Sequence, residues 1–85
     1  MAEWCVYVLR CADNSLYTGV ATNIDTRVAK HNTGKGAKYT RARLPAVLVY
    51  QEVVGDHGAA LRRESAIKRM PPLAKRRLIT QSTSE

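Results

Sequence analysis

Two tyrosines ten residues apart, Tyr7 and Tyr17, most constrain what the N-terminal third of this chain can fold into. Each stands on an apolar segment rich in β-forming residues, Trp4 to Arg10 and Leu16 to Val20. The polar sequence Asp13-Asn14-Ser15 between them supplies turn chemistry. The pattern predicts an antiparallel hairpin that carries one phenol on each strand.

Hydrophobic periodicity and breakers divide the rest of the chain. Ile24 and Val28 lie one helical turn apart after the candidate caps Thr22 and Asn23, and Pro71-Pro72 interrupts the second half. The predicted elements are a helix from Ile24 to about Asn32, a loop from Gly34 to Pro45, a strand from Ala46 to Val54, a helix from Ala59 to Met70 and a helix from Leu73 to Ile79. The order β-β-α-β-α-α predicts a single α+β domain, over residues 3–80, with helices packed on a small, mainly antiparallel sheet. Residues 81–85 are expected to form a frayed tail.

Alternation along the first strand predicts how its side chains divide between the two faces of the sheet. The members of the first face are Cys5, Tyr7 and Leu9, and those of the second are Trp4, Val6 and Val8. Cys5 and Cys11 stand near opposite ends of the strand, about 20 Å apart, which is too far for a disulfide. Neither an N-terminal signal sequence nor a membrane span is evident, so we expect a cytoplasmic protein with reduced thiols and no membrane partner.

Positive charge dominates the composition. Lys and Arg number 14 against 7 acidic residues, which gives a net charge of +7. Such a balance favours a polyanion as partner, nucleic acid before an anionic membrane surface. The sequence leaves open whether the chain has protein partners.

Three residues beyond the hairpin have side chains suited to phosphate chemistry. Arg27 and His31 are four positions apart, so they lie on one face of the first predicted helix, either as a solvated pair or directed towards the hairpin. Glu64 is the only acid between Asp56 and Glu85. It can form a helical salt bridge with Lys68, or hold a divalent cation if water and a substrate phosphate supply the other ligands.

The glycine-rich and basic loop of residues 34–41 is suited to a phosphate backbone, although it lacks the spacing of a P-loop. Tyr39 within it can stack on a base or pack on the domain. The residues predicted to contact nucleic acid are Lys30, Lys35, Lys38, Tyr39, Arg41, Arg43, Arg63 and Lys68. The cysteines and histidines have no zinc-ligand spacing.

Taken together, these segments resemble the GIY-YIG nuclease domain, and above all the small bacterial proteins that consist of that domain alone. The resemblance runs from about Trp4 to Ile79. The supporting segments are Val6-Tyr7-Val8-Leu9, Leu16-Tyr17-Thr18-Gly19, Arg27 with His31, the loop of residues 34–41, and Ala60-Leu61-Arg62-Arg63-Glu64 followed by Ile67-Lys68. The resemblance implies an α+β fold around a three-stranded antiparallel sheet.

The resemblance also implies a role for each candidate. Tyr7 corresponds to the first motif tyrosine, a general base or water-positioning group, and Tyr17 to the second, which lines the site. Arg27 corresponds to the arginine that stabilises charge on the phosphate, His31 to a residue near the attacking water, and Glu64 to the single carboxylate that binds one Mg²⁺ or Mn²⁺ ion. The general base is left open between Tyr7 and His31, because a phenol is a weak base at neutral pH and a histidine titrates closer to it.

The chain departs from the family pattern at Cys5, Val6 and Thr18 within the two motifs, and at Val20, where several members carry a lysine. The main functional hypothesis is a metal-dependent endonuclease that hydrolyses DNA with low sequence specificity. The first alternative is a catalytically silent nucleic-acid-binding module, and the second is an adaptor for a protein partner.

Overall fold

Antiparallel pairing of three strands organises this protein, whose computed structural model describes residues 3–83. The elements in chain order are β1 (Trp4–Arg10), β2 (Leu16–Ala21), α1 (Ile24–Asn32), α2 (Lys38–Arg41), β3 (Val47–Gly55), α3 (His57–Lys68) and α4 (Pro72–Thr83). The predicted order β-β-α-β-α-α is confirmed, with the single turn α2 added before β3.

The first strand lies at the centre of the sheet. The strand order is β2-β1-β3, and β1 pairs antiparallel with both neighbours. Tyr7 lies opposite Gly19 on one side and Gln51 on the other. This arrangement confirms the predicted hairpin and the three-stranded antiparallel sheet, and it explains why the middle of β1 is buried on both faces.

The two faces of β1 belong to two different cores, as the alternation predicts. The first core, on the face that carries Tyr7, comprises Tyr7, Leu9, Ala21, Ile24 and Ala46, with Cys5 packed against it. The second core comprises Val6, Val8, Ala60 and Ile67, with Trp4 packed against it. Helix α1 therefore contributes to one side of the sheet and α3 and α4 to the other.

Local hydrogen bonds shape the hairpin turn. Asn14 adopts a left-handed conformation with φ of 69°, which asparagine tolerates better than most residues. The Asp13 carboxylate accepts from the Ser15 amide at 3.0 Å. Asp13 also forms an ion pair with Arg43 at 3.1 Å, and the Ala12 amide donates to the Arg43 carbonyl at 2.9 Å. The turn is thus attached to the segment that follows α2.

Capping residues fix where the helices begin. Asn23, rather than Thr22, caps α1 by accepting from the Thr26 amide at 3.0 Å. Asp56 caps α3 by accepting from the Ala59 amide at 2.8 Å. Helix α3 therefore begins at His57, two residues before the predicted start at Ala59, and the His57 ring stacks on Trp4 of β1 with 4.0 Å between ring centroids.

Several predicted boundaries were wrong. Residues 34–45 are not a continuous loop, because α2 forms within them. Strand β3 runs one residue later at both ends than predicted, and α3 ends at Lys68 rather than Met70. Helix α4 continues from the predicted end at Ile79 to Thr83, so residues 81–83 of the predicted tail are helical. Residues 84 and 85 lie outside the described part of the chain.

Both cysteines are free, as expected. None of the helices in residues 3–83 has the length and apolar character that crossing a lipid bilayer requires.

Ile67 provides a test of the second core. Its side chain has no exposed surface, whereas Leu61 on the same helix is 44% exposed. We expect Ile67→Ala to lower the free energy of unfolding by about 2–5 kcal/mol, because the cavity left by the removed atoms would be enclosed on all sides. The matched change Leu61→Ala should stay within about 0.5 kcal/mol of the unaltered protein. Urea unfolding followed by circular dichroism measures both, and equal effects would contradict the assignment of Ile67 to the core.

Candidate active site

The phenol of Tyr7 lies across its neighbouring strand. A Cβ atom added to Gly19 would be 2.5 Å from the Tyr7 hydroxyl oxygen, closer than Cβ atoms approach other heavy atoms in proteins. The residue opposite Tyr7 on β2 must therefore be glycine for the ring to keep this position. Tyr7 itself is only 1% exposed.

His31 lies next to this phenol and is fully buried. Its Nε2 atom is 3.0 Å from the Tyr7 hydroxyl, and its Nδ1 atom is 2.8 Å from the Thr40 hydroxyl. Gly36 passes so close that a Cβ there would overlap His31 Nδ1. Both ring nitrogens thus have partners inside the protein. Any exchange of protons between His31 and a bound molecule therefore has to pass through Tyr7 or Thr40.

Aromatic rings connect this pair to the surface. The Tyr17 ring is half-buried, with its centroid 5.3 Å from that of His31 and 6.5 Å from that of Tyr7. On its outer side it stacks on Tyr39 at 6.1 Å. Tyr39 is 39% exposed and is covered by the Arg43 guanidinium, which lies 3.9 Å from the ring centroid.

Arg27 acts on both buried groups from one turn earlier on α1. Arg27 is half-buried, and its positive charge lowers the pKa of both the Tyr7 hydroxyl and the His31 ring. The interpretation of Arg27 and His31 as an entirely solvated pair is therefore wrong, since His31 points into the core and contacts the hairpin.

Glu64 projects from the packed face of α3. Ala60 and Ile67, four residues before it and three after, are both fully buried, so Glu64 shares their stripe and keeps only 19% of its side chain exposed. The salt bridge to Lys68 exists, at 3.5 Å. The Glu64 charge nevertheless reaches the Tyr7 hydroxyl, because it raises the pKa of that group.

The electrostatics keep the Tyr7–His31 pair neutral at pH 7. Burial raises the pKa of Tyr7, and although Arg27 works against this, Tyr17 and Glu64 raise the pKa further. Burial lowers the pKa of His31, and the positive charge of Arg27 lowers it again. A neutral imidazole next to a neutral phenol can accept a proton but does not carry a permanent charge.

Within residues 3–83, no cluster of three or more His, Cys, Asp or Glu residues could form a complete metal site. Glu64 is a single hard oxygen donor. It fits Mg²⁺ or Mn²⁺ only where water and substrate oxygens complete the coordination, and these ions commonly bind in that way to enzymes acting on phosphates.

The residues predicted to contact nucleic acid differ in whether their side chains already form ion pairs. Four of the cations are exposed with no ion-pair partner among the described residues: Lys30, Lys35, Lys38 and Arg41. Three others are engaged: Arg43 with Asp13, Arg63 with Glu52 at 2.8 Å, and Lys68 with Glu64. For these three residues, contact with nucleic acid stays a prediction, and it requires each side chain to leave its acidic partner.

Sequence reasoning missed two polar groups. Thr40 is fully buried and bonded to His31, although its neighbours are the exposed residues Tyr39 and Arg41. The group formed by Tyr50, Glu52 and Arg63 joins β3 to α3. Alternation along β3 places Tyr50 and Glu52 on one face, but no periodicity links a strand residue to a particular arginine on a later helix.

Comparison with known proteins extends over most of the chain. Residues 3–71 match the model of the GIY-YIG catalytic domain. A UPF0213 protein from Staphylococcus haemolyticus is 51% identical over 95% of this chain and 99% of its own length. A UPF0213 protein from Desulfotalea psychrophila is 50% identical over 93% of this chain and 73% of its own length.

Solved structures agree with the fold. The solution NMR structure of a UPF0213 protein from Bacillus halodurans has a TM-score of 0.62 and 39% sequence identity, covering 99% of this chain and 88% of that chain. A protein from E. faecalis, also solved by NMR, has a TM-score of 0.61 and 31% identity, covering 100% of this chain and 91% of that chain. The similarity of fold therefore extends along nearly the whole chain.

The lowered pKa of His31 predicts how stability depends on pH. An unfolded histidine binds a proton below about pH 6.5, whereas the buried His31 resists it, so the unfolded state binds more protons in this range. The stabilising contribution is complete above about pH 6.5 and decreases as the pH falls below it. We expect urea unfolding to show lower stability at pH 5.5 than at pH 7.5, with a smaller difference in His31→Gln. The control His57→Gln should keep most of the difference, and equal behaviour of the two variants would contradict the prediction.

Proposed function

This chain belongs to the GIY-YIG catalytic domain family, and from that premise we propose that it is an endonuclease that hydrolyses phosphodiester bonds in DNA with one divalent cation. The observation that carries the proposal is the placement of four side chains from three other elements around the Tyr7 hydroxyl of β1. They are Tyr17 from β2, Arg27 and His31 from α1, and Glu64 from α3.

Exposed positive charge supports nucleic acid as the substrate. Lys30 belongs to the helix that carries Arg27 and His31, and Lys35, Lys38 and Arg41 follow it in the segment that covers His31. Cations in this arrangement would bind the phosphate backbone and release its counterions, which makes binding salt-sensitive and independent of sequence. Low sequence specificity is therefore part of the proposal.

Each of these side chains would have a different role in hydrolysis. Arg27 is half-buried and carries a permanent charge, so it would stabilise the negative charge that develops on the phosphate. The hydrogen-bonded pair of Tyr7 and His31 would receive the proton of the attacking water, because the neutral imidazole is the stronger base of the two. Tyr17 covers this pair and would position the phosphate or the water beside it.

Glu64 would hold the divalent cation, with substrate and water oxygens as the other ligands. When bound, the cation would supply Lewis acidity towards the phosphate and stabilise the leaving oxygen. The ion pair with Lys68 does not prevent this, since Lys68 is 53% exposed at its side chain and such surface pairs contribute little to stability.

Burial of the candidate base favours one alternative. Tyr7 and His31 expose almost no surface, so a domain that only binds nucleic acid, with the pair serving to pack the core, is also consistent with the geometry. This binding module shares the basic surface of the nuclease and differs in giving no products.

A cleavage assay with labelled nucleic acids separates the two functions. The panel would contain duplex, single-stranded, flapped and branched DNA together with RNA, each incubated with Mg²⁺, with Mn²⁺ and with a chelator. We expect metal-dependent products from the unaltered protein and a loss of at least about 100-fold in Glu64→Ala, with binding retained.

Asp25→Ala is the matched control, because it also removes one carboxylate but from the exposed side of α1. It should cleave like the unaltered protein. Metal-dependent cleavage that survives in Glu64→Ala would contradict the role of this carboxylate. Salt-sensitive binding without products in any of the proteins would favour the binding module.

A further inference from the structure

Thr40 is fully buried, and its hydroxyl contacts the ring of His31. It lies in the single turn α2, and its Oγ1 atom is 2.8 Å from His31 Nδ1. The same hydroxyl donates to the Ala37 carbonyl at 3.0 Å. A threonine hydroxyl between an imidazole and a carbonyl can donate its single hydrogen to only one of them.

The position of that proton determines the tautomer of His31. Because the Thr40 hydroxyl donates to Ala37, its oxygen is left as an acceptor, and His31 Nδ1 must supply the hydrogen between them. Nε2 then has a free lone pair directed at the Tyr7 hydroxyl, 3.0 Å away. In this arrangement the chain of donors runs from Tyr7 through His31 and Thr40 to the Ala37 carbonyl.

The tautomer with the proton on Nε2 would form less favourable hydrogen bonds with the same groups. It would require Thr40 to donate to Nδ1, which removes the 3.0 Å bond to the Ala37 carbonyl. In return Nδ1 would accept from the Ala37 amide, but that contact is 3.4 Å long. The arrangement with the proton on Nδ1 keeps all three contacts at 3.0 Å or less and loses only the 3.4 Å contact from the Ala37 amide.

We propose that Thr40 is a positioning residue that holds His31 in the Nδ1-protonated tautomer, so that Nε2 accepts the proton of Tyr7. The catalytic consequence rests on the nuclease function proposed above, whereas the tautomer is a property of the protein without substrate.

In the reaction, one proton moves along each of two hydrogen bonds. The attacking water gives a proton to the Tyr7 hydroxyl oxygen while Tyr7 gives its own to His31 Nε2. The water oxygen forms a bond to phosphorus, and the bond to the leaving oxygen breaks with its electron pair, which takes a proton from solvent. His31 is then an imidazolium whose Nδ1 hydrogen is still held by Thr40, and it returns the extra proton to solvent through Tyr7.

The surrounding structure holds Thr40 in place. Arg43, just beyond α2, donates to the Tyr39 carbonyl at 2.8 Å and to Asp13 in the hairpin turn at 3.1 Å. Gly36 allows the chain before α2 to lie against the imidazole. The contact between Thr40 and His31 is therefore fixed by the backbone on both sides of α2.

The test reads the tautomer directly. Long-range ¹H–¹⁵N NMR spectra of the uniformly labelled, full-length protein at neutral pH distinguish a protonated from an unprotonated ring nitrogen in His31. We expect Nδ1 protonated and Nε2 unprotonated in the unaltered protein and in Thr40→Ser, which keeps the hydroxyl. In Thr40→Val the remaining neighbour of Nδ1 is the Ala37 amide, a donor, so the proton should move to Nε2.

Cleavage provides the second readout. Thr40→Val should lose about tenfold or more of kcat at saturating DNA, and Thr40→Ser should recover most of it. Spectra showing Nε2 protonated in the unaltered protein, or a tautomer unchanged in a folded Thr40→Val, would overturn the proposal. If Thr40→Val does not fold, Thr40→Ala also removes the hydroxyl, and the same change of tautomer is expected in that variant. A tautomer that behaves as expected in a protein that cleaves nothing supports the assignment of Thr40 and overturns the nuclease function instead.

Discussion

The hydrogen bond between Tyr7 and His31 is the interaction on which the rest of the structure depends. It joins the central strand to helix α1 inside the first core, where Tyr7 is 1% exposed and His31 is fully buried. Burying two polar groups costs free energy unless each has a partner, and here each does. Gly19 gives the phenol its space, Gly36 allows close approach to the imidazole, and Thr40 satisfies the second ring nitrogen. The features that make this region a candidate active site are therefore also those that allow it to be packed.

Much of the fold follows from local sequence. The alternation along β1 correctly assigns its side chains to two cores, and the turn residues place the hairpin. The errors occur where a boundary depends on a cap or on tertiary contact. Asp56 begins α3 earlier than its apolar pattern suggests, and α2 forms in a basic, glycine-containing segment whose composition is typical of a loop.

The candidate site was only partly predictable. Spacing alone puts Arg27 and His31 on one face of a helix, and the resemblance to a family adds roles for the two tyrosines and Glu64. The sequence does not reveal how deeply each of these side chains is buried. A histidine near the end of a helix is typically exposed, yet His31 is fully buried because the later segment with Gly36 and Thr40 folds over it. Likewise Arg43 and Arg63 look like free cations in the sequence, while the structure pairs each with an acid far away along the chain.

The division of the protein into two cores has a consequence for how its parts respond to heat. Tyr7 and His31 belong to the core on one face of the sheet, whereas the helix that carries Glu64 packs through Ala60 and Ile67 on the other. No direct bond between the phenol and the carboxylate sets their separation, so it depends on both packing interfaces at once. Loosening of either interface would shift one half of the site relative to the other while the sheet remained paired. On heating, the arrangement of Tyr7 relative to Glu64 is then expected to change at a lower temperature than the secondary structure.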